Sequence, residues 1–135
     1  MVTSPPFMKL KGINALITGG SQGLGKVIAE HFLREGANVL ICARNRNDLK
    51  ATASELSEKF PKSKLLFNHC DVSSEESVEG LFKYAVANLW PLHALVLNAG
   101  IYGPMGPTES VDLAEWRRAI DINLFGVLLD RKSVV

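Results

Sequence analysis

The stretch TGGSQGLG, residues 18–25, decides the fold of this chain. It overlaps the end of Ile13–Thr18, an apolar run with the length and composition of a buried strand. A helical pattern follows, in which apolar residues recur at spacings of three and four up to Phe32. Glu35-Gly36 then supplies a glycine where a helix is expected to end. We therefore predict a strand, a tight glycine turn and a helix in immediate succession.

Strand-like and helical segments alternate along the rest of the chain. Because the strand-like runs are apolar throughout, they indicate a parallel sheet covered by helices on both faces, which is an α/β fold. Three further strands are predicted at Asn38–Ala43, Lys64–Cys70 and Leu92–Leu97. The further helices are predicted from a cap at Asn47 or Asp48 through Phe60, over Glu75–Leu89 behind a Ser74 cap, and from the capping box Asp112/Glu115 after an irregular loop at residues 101–110.

Three phosphate-binding patterns compete for the glycine-rich stretch. Gly20, Gly25 and Lys26 satisfy the Walker A pattern G-x-x-x-x-G-K. Val27, however, stands where that pattern needs a Ser or Thr hydroxyl for magnesium, which argues against a P-loop NTPase. The G-x-G-x-x-G pattern fails because Ile28 occupies its last position. Only the third pattern, T-G-x-x-x-G-x-G, is matched in full.

In this third pattern each glycine removes a side chain where the backbone must pass closely. Gly19 lets the chain leave the strand sharply, and Gly23 lets the backbone approach a pyrophosphate. Gly25 lets the first helical turn pack close to the strand. The N–H groups of residues 21–24 would then point at phosphate oxygens at the helix N-terminus. The pattern favours dinucleotide binding over a purely structural turn.

Three further motifs follow in chain order, and with the glycine turn they carry a family resemblance. Asp71-Val72 follows the third predicted strand, Asn98-Ala99-Gly100 follows the fourth, and Asn123 lies in the segment DINLFG. From about Lys11 to Leu129, the chain resembles the short-chain dehydrogenase/reductase family. The resemblance implies a Rossmann-type, doubly wound parallel sheet, incomplete after four strands in the order 3-2-1-4. Residues 11–135 would form this incomplete NAD(P)-binding domain, and residues 1–10 a flexible N-terminal segment.

The end of the second predicted strand indicates which cofactor to expect. NAD-dependent dehydrogenases usually have an acidic residue about 20 residues beyond the turn, where it holds the ribose 2′-OH. This chain has Ala43-Arg44 there, which leaves room for a 2′-phosphate and offers it a guanidinium fork. We therefore expect NADP(H) in preference to NAD(H), the alternative being that Arg44 and Arg46 are a solvated pair without a ligand. The predicted cofactor-binding residues are Thr18, Gly19, Ser21, Gln22, Gly23, Leu24, Gly25, Arg44, Asp71, Val72, Asn98, Ala99 and Gly100.

The resemblance also implies where parts of the cofactor would lie. Asp71 and Val72 would border the adenine, Asp71 by its carboxylate and Val72 chiefly by its backbone. Asn98, Ala99 and Gly100 would line the floor beside the ribose. For Asn98 a structural role, in which its amide ties neighbouring strands together, is an equally good interpretation.

Catalysis in this family depends on a Ser and a Y-x-x-x-K pair, supported by an Asn. Asn123 matches the supporting Asn. Neither of the two tyrosines, Tyr84 and Tyr102, is followed by Lys at the fourth position. Ser133 lies in a tail, DRKSVV, that departs from the family pattern, so we do not identify it with the catalytic Ser.

These observations lead to two hypotheses about function. The first is an NADP(H)-dependent oxidoreductase acting on a carbonyl/alcohol pair, of which this chain lacks the catalytic Ser and Y-x-x-x-K residues and is inactive alone. The second is a non-catalytic dinucleotide-binding fragment or truncated gene product. Oligomerisation is doubtful, because the helix through which family members often associate is cut by the end of the sequence.

Composition argues against several other classes of function. A net charge of +1 gives no general attraction to nucleic acid. The apolar runs are too short to span a membrane and the N-terminus has no signal-peptide core, so we expect a cytoplasmic protein. Cys42 and Cys70 are predicted to be buried free thiols. The three histidines, His31, His69 and His93, lack partners at metal-ligand spacing, so no metal site is predicted.

Overall fold

Four parallel strands lie side by side in the order β3-β2-β1-β4 in the computed structural model, which describes residues 8–134. This order confirms the Rossmann-type α/β fold predicted from the sequence. The strands are β1 (Asn14–Thr18), β2 (Asn38–Ala43), β3 (Leu65–His69) and β4 (Ala94–Val96). The helices are α1 (Gly23–Arg34), α2 (Arg46–Lys59), α3 (Glu75–Asn88), α4 (Leu113–Ile120) and α5 (Gly126–Ser133), with a short 3-10 turn at Thr108–Ser110 and a π-helical turn at Asp121–Phe125 between α4 and α5.

Both faces of the sheet are covered, which explains why its two central strands, β1 and β2, are mainly apolar and buried. In β2, Leu40 and Cys42 belong to one core and Val39 and Ile41 to the other. Helices α1 and α2 supply the second core, whereas α3 and the π-helical turn supply the first. Full burial of such an aliphatic side chain contributes about 1.5–3 kcal/mol. The four strands are therefore held between two helical layers.

Strand β4 is shorter than the predicted strand Leu92–Leu97 at both ends, where side chains replace backbone hydrogen-bond partners. Its last paired residue is Val96, which lies opposite Ile17 of β1. Beyond it, the N–H of Asn98 donates to the side-chain hydroxyl of Thr18 at 3.0 Å. A side chain thus replaces the backbone partner, and the regular pairing stops there.

Helix α2 begins earlier than predicted, because its cap is Asn45 and not Asn47 or Asp48. The side-chain oxygen of Asn45 accepts hydrogen bonds from the N–H groups of Asn47 and Asp48, each at 3.0 Å. The two residues predicted as caps are therefore inside the first helical turn, where their N–H groups need an acceptor. The predicted Ser74 cap of α3 is confirmed, since its hydroxyl accepts the N–H of Ser77 at 3.2 Å.

The last predicted helix is interrupted by the π-helical turn. Asp112 caps α4 by accepting the N–H of Ala114 at 2.9 Å. Within residues 8–134 no bond from the Asp112 N–H to Glu115 completes the predicted capping box. The π-helical turn shifts the helical register before Gly126, where an added Cβ would lie 2.9 Å from Val72 Cγ2. The second half of the helix therefore packs closely against the segment that follows β3.

The chain before β1 is attached to the end of α1. The N–H of Leu10 donates to the Glu35 carbonyl at 2.9 Å, and the N–H of Lys9 donates to the Glu35 carboxylate at 3.0 Å. Residues 1–7, which form most of the predicted flexible segment 1–10, lie outside the described residues. Across residues 8–134, no helix has both the length and the apolar character needed to cross a membrane.

A buried carboxyl group in α5 lacks a complete set of partners. Asp130 is 1% exposed. Among the residues that the structure describes, none donates a hydrogen bond to its Oδ1. Burial raises the pKa of Asp130 to about 7, because the charged form loses its hydration. The residue therefore favours the folded state most when it is protonated.

We expect the contribution of Asp130 to the free energy of unfolding to fall as the pH rises. The unfolded chain releases this proton near the ordinary pKa of 3.8, whereas the folded chain keeps it up to a pH of about 7. Between these values the folded state binds more protons, so stability declines with pH, by up to about 4 kcal/mol. Urea unfolding across this range should show a smaller decline for Asp130→Asn than for the wild type.

The matched control is Glu58→Gln, which removes an exposed carboxyl group from α2. This variant should keep the pH dependence of the wild type. If Asp130→Asn and Glu58→Gln show the same dependence, the role assigned to Asp130 is wrong.

Candidate functional site

An open cavity of about 670 Å³ lies at the carboxyl end of the sheet. Parallel strands bring the loops that follow them to one edge, so segments distant in sequence meet here. The lining comes from the turn after β1, the chain after β2, β3 and β4, and the start of α5 with the π-helical turn before it. The predicted site residues in this lining are Gly19, Ser21, Gln22, Gly23, Leu24, Arg44, Asp71, Val72, Asn98, Ala99, Gly100 and Asn123.

Two of the predicted cofactor residues, Thr18 and Gly25, are buried behind the cavity wall and are not part of the lining. An added Cβ on Gly25 would overlap the carbonyl oxygen of Gly19 and would lie 2.5 Å from Asn98 Nδ2. Only a glycine therefore lets the first turn of α1 approach the end of β1 this closely.

Gly23 is a glycine for a different reason. Its φ of +55° lies in the left-handed region that other residues rarely adopt. Nothing would lie within 4 Å of an added Cβ, so the space in front of it is open. The turn thus combines a backbone that requires glycine with room for a ligand at the start of α1.

The N-terminus of α1 differs from that of α2, α3 and α4. Asn45, Ser74 and Asp112 cap those three helices through their side chains. The residue before α1 is Gln22, whose side chain makes no capping hydrogen bond, and the first turn contains no acidic residue. Within residues 8–134, no protein acceptor is bonded to the N–H groups of residues 21–25. These donors, at the positive end of the helix, are free to bind an anion.

Thr18 and Asn98 tie the ends of β1 and β4 together. The buried Thr18 hydroxyl accepts the N–H groups of Asn98 and Ala99, each at 3.0 Å. In return, the side-chain amide of Asn98 donates to the carbonyls of Thr18 and Gly19 at 3.1 and 3.2 Å. The side-chain amide of Asn98 therefore ties the two strands together. The residue also lines the cavity.

Arg44 and Asp71 lie near each other at the ends of β2 and β3. Arg44 is exposed and lines the cavity, whereas Arg46, the first residue of α2, does not. Asp71 Oδ1 accepts the Ser73 hydroxyl at 2.6 Å and the Ser73 N–H at 3.0 Å. The pKa of Asp71 is lowered, chiefly by the Ser73 hydroxyl and further by the positive charge of Arg44. The carboxylate is thus ionised and held in one orientation.

Asn123 lies in the middle of the π-helical turn and clamps the loop after β4. Its Oδ1 accepts the Ile101 N–H at 2.8 Å, and its Nδ2 donates to the Ile101 carbonyl at 2.7 Å. Both ends of the side chain are therefore used to hold one residue of the cavity wall. Single π-helical turns of this kind often occur at functional sites.

Sequence reasoning missed several residues of the lining. Cys42 and Cys70 are buried free thiols, as predicted, but both also belong to the cavity wall. The interaction of the two thiols, together with burial, raises the pKa of Cys42. Asp48 and Tyr102 also line the cavity. The order of the strands could have identified the cysteines, since each stands at the carboxyl end of a strand.

Within the described part of the chain, the three histidines, His31, His69 and His93, do not form part of a metal-binding cluster. In the part of the chain from residue 8 to 134, no group of three or more His, Cys, Asp or Glu residues is placed to hold a metal ion. His93 Nδ1 accepts the N–H of Asn14 at 2.9 Å, which joins the start of β4 to β1.

Known proteins share this sequence pattern and this fold. The family model of the short chain dehydrogenase matches residues 13–135. The short chain dehydrogenase/reductase dpmpG of Macrophomina phaseolina is 39% identical over 130 residues, which are 96% of this chain and 74% of that protein. Levodione reductase of Leifsonia aquatica is 33% identical over 133 residues, which are 98% of this chain and 50% of that protein. The Pseudomonas aeruginosa RhlG/NADP active-site complex superposes with a TM-score of 0.87 at 31% identity, covering 97% of this chain and 50% of that one.

The matched region covers a larger share of this chain than of its relatives. The chain is matched almost from end to end, yet it spans only half the length of levodione reductase and of RhlG. The family model extends over all four strands and the helices between them. The chain belongs to the short chain dehydrogenase family.

Proposed function

We propose that this chain binds NADP(H) in the cavity at the carboxyl end of its sheet. The observation that carries the proposal is the uncapped N-terminus of α1, which opens into the same cavity as Arg44. Free N–H groups at a helix N-terminus suit a pyrophosphate, and a guanidinium group suits a 2′-phosphate. The NADP complex of RhlG, a protein 31% identical to this chain, supports this choice of cofactor.

The residues present fit such a dinucleotide. The open space in front of Gly23 leaves room for phosphate oxygens beside the free N–H groups. Residues 19 and 21–25 would hold the pyrophosphate, and Arg44 would hold the 2′-phosphate. Asp71 and Val72 would border the adenine, and residues 98–100 would line the ribose. In this proposal residues 11–135 belong to an NAD(P)-binding domain.

We further propose that these residues bind the cofactor without turning over a substrate. When bound, the nicotinamide would supply hydride exchange with a carbonyl/alcohol pair. That exchange needs an acid or base at the substrate oxygen, and neither tyrosine of this chain forms the Y-x-x-x-K pair. Asn123 would only support such a group. A cofactor-binding fragment is thus the form of the family that these residues fit best.

Two further properties belong to the same proposal. The buried free thiols Cys42 and Cys70 suit a reducing compartment, so we assign the chain to the cytoplasm. Its substrate, in a full-length relative, would be a small carbonyl or alcohol compound, and no nucleic acid or membrane partner is invoked.

Replacing Arg44 tests the choice of cofactor. We expect Arg44→Ala to weaken NADPH binding by at least about tenfold, because a charge-assisted hydrogen-bond pair to the 2′-phosphate is lost. Binding of NADH, which lacks that phosphate, should change little. Isothermal titration of both cofactors against both proteins measures this difference. Arg46→Ala is the control, since Arg46 is a neighbouring arginine outside the cavity lining. Unchanged NADPH affinity in Arg44→Ala would refute the assignment.

The absence of turnover is tested by following NADPH absorbance. We expect no steady oxidation of NADPH by this chain with aldehyde or ketone substrates, because neither tyrosine forms the Y-x-x-x-K pair that would supply the proton to the carbonyl oxygen. Asn123→Ala serves as the comparison variant. Steady turnover by the wild type that disappears in Asn123→Ala would show that the chain is an enzyme by itself.

A further inference from the structure

A hydrogen bond from α2 reaches the glycine turn from behind. Thr52 lies on the buried face of α2 and is 5% exposed. Its hydroxyl donates to the carbonyl oxygen of Ser21 at 2.6 Å. The neighbours of Thr52 on the same face are apolar, namely Leu49, Ala53 and Leu56. The bond to the Ser21 carbonyl is therefore the polar contact that the Thr52 hydroxyl makes in otherwise apolar surroundings.

The position of Ser21 gives this contact its importance. Ser21 and Gln22 share one planar peptide unit, in which the carbonyl and the N–H point in opposite directions. Holding the Ser21 carbonyl toward α2 therefore fixes the direction of the Gln22 N–H. Gln22 is the residue before α1, and its N–H is among the unbonded donors of the cavity.

Other tethers hold the part of the turn nearest the strands, and the N–H of Lys26 donates to the Gln22 carbonyl at 3.3 Å on the helix side. The Gly20 N–H donates to the Cys42 carbonyl at 3.0 Å, and Asn98 Nδ2 donates to the Gly19 carbonyl at 3.2 Å. Farther along, Gly23 adopts its left-handed conformation with open space around it. Among residues 8–134, the bond from Thr52 is the side-chain hydrogen bond that restrains the backbone between these two regions.

We propose that Thr52 is a positioning residue for the phosphate turn, which it orients by holding the Ser21 carbonyl. The inference rests on the proposed binding of NADP(H). Thr52 itself touches no ligand, since it is absent from the cavity lining. Its effect is confined to the part of the cofactor that lies against the turn, which is the pyrophosphate.

Two ligands and two substitutions separate this role from a general loss of stability. Thr52→Val keeps the shape of the side chain and removes the hydroxyl, whereas Thr52→Ser keeps the hydroxyl. We expect Thr52→Val to weaken NADPH binding by roughly three- to tenfold, the effect of one lost hydrogen bond. Adenosine 2′-monophosphate has no pyrophosphate, so its binding, followed by ligand-observed NMR, should be unchanged. Thr52→Ser should restore NADPH binding to within about twofold of the wild type.

The control is Ser54→Ala, which removes an exposed hydroxyl from the same helix and should bind both ligands as the wild type does. Equal NADPH affinity in Thr52→Val and the wild type would overturn the inference. A parallel loss of both ligands in Thr52→Val would also overturn it, because that result indicates loss of structure. A wild-type chain that binds neither ligand would instead refute the proposed function, and this inference with it.

Discussion

The close approach of α1 to the end of β1 is the constraint on which the rest of the structure depends. A Cβ at position 25 would overlap the Gly19 carbonyl, so this approach exists only because Gly25 has no side chain. The approach brings the N-terminus of α1 to the carboxyl edge of the sheet. The same edge receives the chain after β2, β3 and β4, because the strands are parallel. One missing methyl group thus determines where the helix dipole and the loop side chains meet.

A second set of contacts braces the wall of the cavity through side chains that are bonded to backbone. The Thr18 hydroxyl accepts the N–H groups of Asn98 and Ala99. The side-chain amide of Asn123 is bonded to the backbone N–H and carbonyl of Ile101. The Thr52 hydroxyl, on helix α2, donates a hydrogen bond to the Ser21 carbonyl. Each of these three side chains is bonded to the backbone of a loop, which restrains that loop without a ligand contact. A site ordered in advance loses less conformational entropy on binding.

The sequence predicted those features that depend on local residue patterns or on the motifs of a known family. The glycine turn, the Ser74 cap and the strand order followed from residue spacing and family resemblance. It did not predict the Asn45 cap, because Asn47 and Asp48 are equally good cap residues and tertiary packing chooses among them. The π-helical turn at Asp121–Phe125 was not predicted, because its sequence, DINLF, continues the apolar spacing of an ordinary α-helix. Thr52 escaped notice because its partner, the Ser21 carbonyl, is brought to it only by the fold.

Binding and catalysis make different demands on this arrangement. Holding a dinucleotide phosphate requires backbone N–H groups, a helix N-terminus and a cation, and the turn with Arg44 supplies all three kinds of group. Moving a proton to a carbonyl oxygen requires a titratable side chain placed against the substrate. Asn123 lines the cavity, but its side-chain amide does not titrate. Both the oxygen and the nitrogen of that amide are bonded to the backbone of Ile101. The geometry that makes Asn123 a good support for the loop therefore prevents it from acting as that acid.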